Sequence, residues 1–278
     1  MGETQVWRDT DAAGDFFALT RKISLDRGFG CASYKDKCLR RRIAVRMRAR
    51  GVHTYEDYAR VLDADAVEYD RLLDALTINV TKLFRNWDVY ASIADNVVPA
   101  LFDSAQPRIR VWSAGCSSGD EAFSLAILFH RHAVRTGTLA HLGRVQILGT
   151  DIDRKCLEAA ERGQFEEGDF GDTPEELRRR YFSPVRPFTV VRSIRALVQF
   201  ESRDLLRETP PSGRHDLIVC RNVLIYFDRE TQERLFDMFY ESLAPNGFLV
   251  LGKVETLLGR SRSRFAPVDG RERIFQRL

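Results

Sequence analysis

A turn rich in small residues joins two apolar segments in IRVWSAGCSSGDEAFSLAILF, a pattern typical of a strand, a tight turn and a helix. Gly115 and Gly119 would let a ligand approach the backbone at the carboxyl end of the strand. The dinucleotide fingerprint GxGxxG is absent, and Asp120 and Glu121 would repel a pyrophosphate at the helix amino terminus. The turn therefore predicts a site for a cationic ligand without phosphates, whose amino group would donate to Glu121.

S-adenosylmethionine is a ligand of this kind. The alternative is an ordinary helix with an acidic first turn and Ser118 as its cap. A second acid, Asp151 in ILGTDID, ends the next predicted strand, where an acid typically binds ribose hydroxyls. Its separation from Gly119 exceeds the usual spacing of about 20 residues, so residues 131–144 must form an extension. Asp153 is explained equally well as the amino cap of the following helix.

A third motif, HDLIVCRNVLIYFDRETQERL, reads as a strand and a helix with Arg221, Asn222 and Tyr226 at their junction. Ligands of open α/β sheets bind outside the carboxyl ends of strands, so the junction is a predicted functional site. The Asp-Pro-Pro-Tyr element and the Pro-Cys pair of base-modifying methyltransferases are absent, which counts against nucleic acid as a partner. Tyr226 is alternatively a packed aromatic residue with its hydroxyl at the surface.

A fourth motif, TINVTKLFRNWDVY at residues 77–90, places Asn79, Thr81 and Arg85 among apolar residues. Such a segment is expected to pack against a neighbour while its polar side chains point into a shared cleft. His130 and His132 have no carboxylate pair at metal spacing, so no metal site is predicted.

The elements that must position these motifs follow an α/β pattern after about residue 90, which predicts a mainly parallel, Rossmann-like sheet. An insertion at about residues 164–196 breaks the pattern and predicts a small β-subdomain. The expected strands cover residues 109–113, 145–149, 197–200, 216–220, 248–251 and 274–276. The expected helices cover residues 120–131, 154–162 and 229–243.

Residues 1–76 are expected to form an all-helical domain, with residues 77–90 as a linker that contributes to the active site and residues 91–278 as the ligand-binding domain. Residues 35–50 hold eight basic side chains and one acid, a charge of +7 in a chain of +3. Leu39, Ile43 and Met47 would share a buried stripe, and Arg42, Arg46 and Arg50 another face. That face is either solvated or binds an acidic partner.

The composition excludes several classes of protein. The longest nearly apolar stretch, residues 122–129, is shorter than the roughly 20 residues that span a bilayer. The acidic amino terminus carries no apolar leader, so a cytoplasmic protein without direct membrane insertion is expected. The five cysteines are scattered and form no CxxC pair, which predicts reduced thiols and no zinc site.

Taken together and in this order, the motifs resemble the CheR family of chemotaxis receptor methyltransferases. TINVTKLFR is similar to the family's interdomain segment, WSAGCSSGDEAFS to its cofactor turn, TDIDRKCLEAAERGQF to its second strand and helix, and CRNVLIYFDRETQ to its most diagnostic element. The resemblance covers nearly the whole chain. It implies a class I methyltransferase fold and a protein-glutamate O-methyltransferase that transfers methyl from S-adenosylmethionine to chemoreceptor cytoplasmic domains, with glutamyl methyl esters and S-adenosylhomocysteine as products.

The resemblance also implies roles for individual residues. Arg85 and Tyr226 fall where the family orients the accepting glutamate, and Arg42 and Arg46 lie on the basic surface that faces the acidic receptor helices. The implied cofactor pocket is lined by Asn79, Thr81, Arg85, Gly115, Glu121, Asp151, Asp204, Leu205, Asn222 and Val223.

The chain departs from the family pattern at three places. Asp204 stands where the family often has Asn, and Lys253 lies in GKVE where the family often has GHSE. Residues 181–198 are short compared with members that grip a carboxyl-terminal receptor pentapeptide, so pentapeptide-independent action is expected. Two other functions stay open: a non-catalytic S-adenosylmethionine-binding sensor that docks on an acidic protein, and a nucleic-acid methyltransferase.

Overall fold

The computed structural model describes residues 12–77, 79–104 and 106–278, without the side chains of residues 12 and 13. The chain divides into two compact units. The first reaches position 78 and includes Tyr226–Asp228, and the second comprises Asn79–Ile225 and Arg229–Leu278. Residues 79–90 of the expected linker thus belong to the second unit.

The described part of the first unit is helical. Its α-helices are α1 (Ala12–Arg27), α2 (Asp36–Ala49), α3 (Tyr55–Ala64) and α4 (Ala66–Leu76). Thr54 caps α3 by accepting a hydrogen bond from the Asp57 backbone N–H at 3.1 Å, a role for which threonine is well suited at a helix amino terminus. The predicted stripe of α2, formed by Leu39, Ile43 and Met47, lies buried in the core of this unit.

The other predicted face of α2 packs on α4 and its amino cap. Arg42 donates to a backbone carbonyl of α4 at 3.2 Å, and Arg50 lies 3.1 Å from the carboxylate of Asp65. Between them, Arg46 pairs with Glu68, whose side chain is fully buried. Internal acids and a backbone carbonyl near the end of α4 therefore engage this arginine row, so it is not simply solvated. Binding of an acidic partner by the same face stays a prediction.

The second unit is built around a seven-stranded sheet with the order β5-β2-β1-β6-β7-β9-β8. Its strands are β1 (Ile109–Ala114), β2 (Val145–Asp151), β5 (Val198–Ser202), β6 (His215–Cys220), β7 (Leu243–Leu251), β8 (Phe265–Asp269) and β9 (Ile274–Arg277). Strands β5, β2, β1, β6 and β7 pair in parallel, and β9 and β8 are antiparallel to their neighbours. The mainly parallel sheet predicted from the sequence is confirmed.

Each of the six predicted strands is found, but β7 begins earlier than predicted. The Pro245-Asn246-Gly247 sequence, which is typical of a turn, lies inside β7, where Asn246 has a φ of 61° and the pairing with β6 shifts register. Strand β8 was not predicted from the sequence because it contains Pro267. Proline is tolerated there because β8 lies at the edge of the sheet.

Helices flank the sheet, and α7, α8 and α11 pack directly against its strands. They are α5 (Trp87–Ser92), α6 (Val98–Phe102), α7 (Asp120–Thr136), α8 (Arg154–Arg162), α9 (Glu175–Tyr181), α10 (Arg192–Arg195) and α11 (Arg229–Ser242). A π-helical turn, Ile93–Val97, joins α5 to α6. The extension expected after α7 is a longer helix followed by a 3-10 helix, Leu139–Arg144. Apolar residues of β1, β6 and α7, such as Phe123, Phe129, Leu217 and Val219, form the core.

In the insertion, where a small β-subdomain is expected, the structure contains a short antiparallel pair, β3 (Gln164–Phe165) and β4 (Phe188–Thr189). Between β4 and β5 the chain forms the short helix α10, in which Ile194 is buried and the Val191 carbonyl accepts from the backbone N–H groups of Ile194 and Arg195. Residues 203–214, between β5 and β6, contain no helix. The sheet face beneath carries a groove of about 900 Å³ that is lined in part by the exposed polar residues Gln146 and Gln199.

Candidate active site

The carboxyl ends of β1, β2, β5 and β6 lie at one edge of the sheet because these strands are parallel. In the turn after β1, the N–H groups of Gly115 and Cys116 donate to the Thr150 carbonyl at 2.8 and 2.9 Å. Gly115 has a φ of 80°, and a Cβ there would lie 2.5 Å from Cγ2 of Val223. Both the left-handed backbone and the contact with Val223 require glycine at this position.

Glu121 lies in the first turn of α7 and is buried. Its Oε1 accepts a hydrogen bond from Oγ of Ser113 at 2.8 Å, and its Oε2 is 3.8 Å from Nη1 of Arg221. Burial raises the pKa of Glu121 to about 7, against the opposing effect of the Arg221 charge. The carboxylate is thus oriented and only partly compensated, so a cationic group beside it would be stabilised.

The neighbouring acid, Asp120, is also buried, and burial raises its pKa to about 6. Oγ of Ser118 donates to the Asp120 carboxylate at 2.7 Å. The amino cap of α7 is Gly119, with a φ of 86°, and no side chain caps the helix. The alternative in which Ser118 caps α7 is therefore wrong, because its hydroxyl is directed to Asp120.

Asp151 is held between two turns at the end of β2. Its carboxylate accepts from the backbone N–H groups of Ser117 at 2.8 Å and Asp153 at 2.9 Å. Burial raises the pKa of Asp151, and these hydrogen bonds oppose the rise. Asp153 caps α8 by accepting from the Lys155 N–H and also accepts from Nδ2 of Asn79 at 2.6 Å. The predicted cap is confirmed, and the same carboxylate anchors the segment that follows residue 78.

That segment packs against α7, as its apolar residues predict. The backbone N–H of Phe84 donates to Oγ of Ser124 at 2.9 Å. Arg85, which is half-buried, folds back so that Nη1 donates to the Val80 carbonyl at 2.7 Å. Thr81 lies in the same segment and is half-buried. The predicted residues Asn79, Thr81 and Arg85 are therefore brought to the unit that contains Glu121 and Asp151.

The insertion also holds this segment in place. Asp172 accepts from Nζ of Lys82 at 2.7 Å and from the backbone N–H of Asn86 at 2.7 Å. Because the segment between these two contacts contains Arg85, the insertion fixes the turn that presents it.

Glu255, which the sequence prediction gave no role, and Arg221, which it placed at the predicted functional junction, organise the end of β6. Glu255 accepts from the backbone N–H groups of Gly252 at 2.6 Å, Asn222 at 3.1 Å and Ile225 at 3.3 Å. Arg221 is buried directly after the strand. The signal for both was available, since each charged residue closely follows an apolar strand.

Left-handed backbone is concentrated here. Of the non-glycine residues in the described part of the chain that have positive φ, four lie in these turns: Phe84, Asn86, Ser117 and Asn222. Such conformations are costly and tend to persist at functional sites, where the surrounding contacts enforce them.

Two departures from the expected pattern have partners within the second unit. Asp204 follows β5, and its carboxylate accepts from the Leu206 N–H at 2.8 Å. The next residue, Leu205, which is also predicted to line the cofactor pocket, is half-buried. Lys253 lies 3.6 Å from the carboxylate of Asp88 and 3.5 Å from that of Glu272. Its charge is therefore compensated by these acids.

Three other predicted site residues belong to the first unit. Tyr226 is half-buried, and its carbonyl accepts from the Lys35 N–H at 2.9 Å. Arg42 and Arg46 are engaged with α4 as described above. Their roles toward a substrate stay predictions.

The second unit fits the ligand class predicted from the sequence. Gly115 lets the turn after β1 pack closely against Val223, while Glu121 and Asp151 supply buried, oriented carboxylates for an amino group and for hydroxyls. The described residues contain no cluster of three or more His, Cys, Asp or Glu side chains able to hold a metal ion. No helix in the same residues is long and apolar enough to span a membrane.

Comparisons with known proteins agree with the predicted family and cofactor. The family model described as "CheR methyltransferase, SAM binding domain" matches residues 79–274, and "CheR methyltransferase, all-alpha domain" matches residues 14–77. The chain is 33% identical over 249 residues to a chemotaxis protein methyltransferase of Listeria monocytogenes, covering 89% of this chain and 92% of that one. It is 31% identical over 255 residues to one of Klebsiella aerogenes, covering 89% and 84%.

These matches cover both units and name the cofactor that the second unit fits. The fold is accordingly that of a class I methyltransferase preceded by an all-α domain, and the cofactor is S-adenosylmethionine. The chain belongs to the CheR family of S-adenosylmethionine-dependent methyltransferases.

Proposed function

We propose that this protein methylates glutamate side chains on the helical cytoplasmic domains of chemoreceptors and forms glutamyl methyl esters. One observation carries the proposal. The carboxylates Glu121 and Asp151 and the Arg85 turn belong to one compact unit, and their hydrogen bonds organise them around the carboxyl ends of β1, β2 and β6. The chemotaxis names of the relatives support the substrate class.

The proposed chemistry asks little of the protein as an acid or a base. A glutamate side chain has a pKa of about 4.3 and is ionised at neutral pH, so its oxygen needs no general base. Bound S-adenosylmethionine supplies an electrophilic methyl group on a positively charged sulfur. The chain's own residues must then align the carboxylate and exclude water.

Arg85 is the proposed orienting residue. Its guanidinium could hold one carboxylate oxygen while the other faces the methyl group, and a tight ion pair would weaken the nucleophile. In this structure one side of the guanidinium is occupied by the Val80 carbonyl. Arg85 therefore offers a limited donor surface, which suits orientation. Tyr226 is proposed as its partner in orienting the substrate.

The proposed receptor surface is the basic side of α2. Because α4 engages Arg42 and Arg46, exposed side chains are better placed to meet an acidic partner. Lys37, Arg41 and Arg48 are exposed, and their spacing places them on one face of α2. Acidic receptor helices have the charge that complements this face. The short β3–β4 pair supports action that does not depend on a receptor pentapeptide.

The test is to incubate the full chain with S-adenosylmethionine and a chemoreceptor cytoplasmic fragment and to map the products by peptide mass spectrometry. The expected result is one added methylene on glutamate side chains, lost after mild base. Cofactor binding without any modified receptor would favour the alternative function, a non-catalytic S-adenosylmethionine-binding sensor. Base-stable methyl groups on nucleic acid, with strongly salt-dependent binding, would favour a nucleic-acid methyltransferase.

A further inference from the structure

The guanidinium of Arg221 lies between two parts of the site. Its side chain is 2% exposed. Nη2 donates to the Arg85 carbonyl at 2.8 Å and to Oδ1 of Asn86 at 3.3 Å. Nη1 donates to the hydroxyl of Tyr90 at 3.3 Å and lies 3.8 Å from Oε2 of Glu121. One planar group thus contacts both the turn that presents Arg85 and the acid in the first turn of α7.

Burying this charge is costly, and the cost is only partly offset. Nε of Arg221 has no hydrogen-bond partner within the described residues. Buried ion pairs are often no more stabilising than apolar residues of the same volume. Arg221 also fixes a turn in which Asn86 has a φ of 63°, a conformation that needs enforcement. These features point to a positional role in addition to packing.

We propose that Arg221 is a positioning residue, whose two-pronged donor group sets the Arg85 turn and whose charge stabilises the carboxylate of Glu121. The part that concerns Arg85 rests on the proposed function. The part that concerns Glu121 rests only on S-adenosylmethionine being the cofactor.

Several groups around Glu121 determine its protonation. Its pKa is raised to about 7, mainly by burial, and the charge of Glu255 contributes to the rise. The charges of Arg221 and Arg85 and the hydrogen bond from Ser113 lower it. Loss of the Arg221 charge should therefore raise the pKa of Glu121 and leave it largely protonated at neutral pH, where it could no longer pair with a cation.

Two substitutions separate the two roles. Arg221→Lys keeps the charge but replaces the planar fork with a single ammonium group, and Arg221→Gln removes the charge. Calorimetry of S-adenosylhomocysteine binding from pH 5.5 to 8.5 measures how the ionisation of Glu121 affects affinity, and it needs no receptor. The same titration of Glu121→Gln shows how much of the pH dependence comes from Glu121. The rate of methyl transfer to the receptor fragment tests whether Arg221 positions the turn that contains Arg85. Arg179→Lys is the control, because Arg179 is exposed on α9 and its ion pair in the described residues is with Glu175, one helical turn away.

For Arg221→Gln, the pH midpoint of binding should rise by about one unit or more, and the affinity at pH 7 should fall about fivefold or more. For Arg221→Lys, the midpoint should stay close to that of the wild type while kcat falls about tenfold or more. Thermal unfolding monitors folding of every variant. If Arg221→Gln does not fold, Arg221→Lys still tests both parts.

A wild-type kcat in Arg221→Lys would overturn the role at Arg85. The role at Glu121 would be overturned if the pH midpoint of binding does not move in folded Arg221→Gln. It would also be overturned if the midpoint in Arg221→Lys moves as far as predicted for Arg221→Gln. If the wild-type protein methylates no receptor, the proposed function and the Arg85 role both fail. The binding midpoints would still decide the Glu121 role.

Discussion

Arg46 holds the buried carboxylate of Glu68 at two points, with Nε donating to Oε1 at 3.0 Å and Nη2 to Oε2 at 2.5 Å. The hydroxyl of Tyr58 also donates to Oε1, at 2.9 Å. Burial opposes ionisation, but these hydrogen bonds outweigh it and lower the pKa of Glu68. An arginine on a surface expected to bind receptors therefore also connects α2 to α4.

Two arginines of α2 should consequently respond differently to substitution. Arg46→Met leaves Glu68 buried without its ionic partner and should destabilise the protein by about 3 kcal/mol. Arg41→Met removes an exposed positive charge and should change the free energy of unfolding by less than about 0.5 kcal/mol. Because that charge lies on the proposed receptor surface, the same substitution should raise KM for the receptor fragment. Urea unfolding and steady-state kinetics measure both. Equal stability losses would contradict the assigned roles.

The pH dependence of stability should report Glu121. Its pKa rises from 4.5 to about 7 in the folded protein, so the folded state binds this proton more tightly than the unfolded state. The stability contributed by this group is complete below about pH 4.5 and is lost as the pH rises through about 7. Asp120, with a pKa raised to about 6, acts in the same direction.

Glu121→Gln should therefore be more stable than the wild type at pH 7.5 without cofactor, by on the order of 1–3 kcal/mol, and the advantage should shrink toward pH 5. Urea unfolding at the two pH values measures this change. Glu176→Gln, at an exposed position of α9, is the control and should show no such trend. A pH-independent difference for Glu121→Gln would refute the assignment.

Gly115 provides a test of the cofactor turn. Gly115→Ala combines a left-handed backbone with a Cβ 2.5 Å from Val223 and should cost about 1–3 kcal/mol and weaken S-adenosylhomocysteine binding. Gly137→Ala is a matched control, because Gly137 has a φ of 69° but a Cβ added there would meet nothing within 4 Å. Adding Val223→Ala to Gly115→Ala should restore only the stability lost to the contact with Val223, and not the stability lost to the left-handed backbone. Equal costs for the two glycine variants would show that the contact is unimportant.

The sequence predicted the sheet and the local caps because these depend on short-range patterns. Apolar runs specify β1 and β6, and Asp153 and Thr54 cap helices as their positions suggest. The hydrogen-bond and ion-pair partners of Arg46 and Arg221 could not be predicted from such short-range patterns. Each contact joins residues far apart in the chain, and only the packing of helices and strands determines which acid or carbonyl meets each guanidinium.

The short insertion leads to a prediction about the receptor tail. The protein should bind a carboxyl-terminal receptor pentapeptide weakly or not at all, because β3 and β4 are only two residues long. Calorimetry with the peptide tests binding. Methylation of receptor fragments with and without the tail should proceed at equal rates. Tight binding, or a marked rate loss without the tail, would argue against this prediction.

The most direct test of the proposed function is release of volatile methanol by mild base after transfer of labelled methyl from S-adenosylmethionine to a receptor fragment. The wild type should give base-labile label, Arg85→Ala should reduce it about a hundredfold, and the exposed-site control Arg179→Ala should match the wild type. If the wild type yields no base-labile methyl, or Arg85→Ala is as active as the wild type, receptor glutamate methylation with Arg85 as its orienting residue is contradicted.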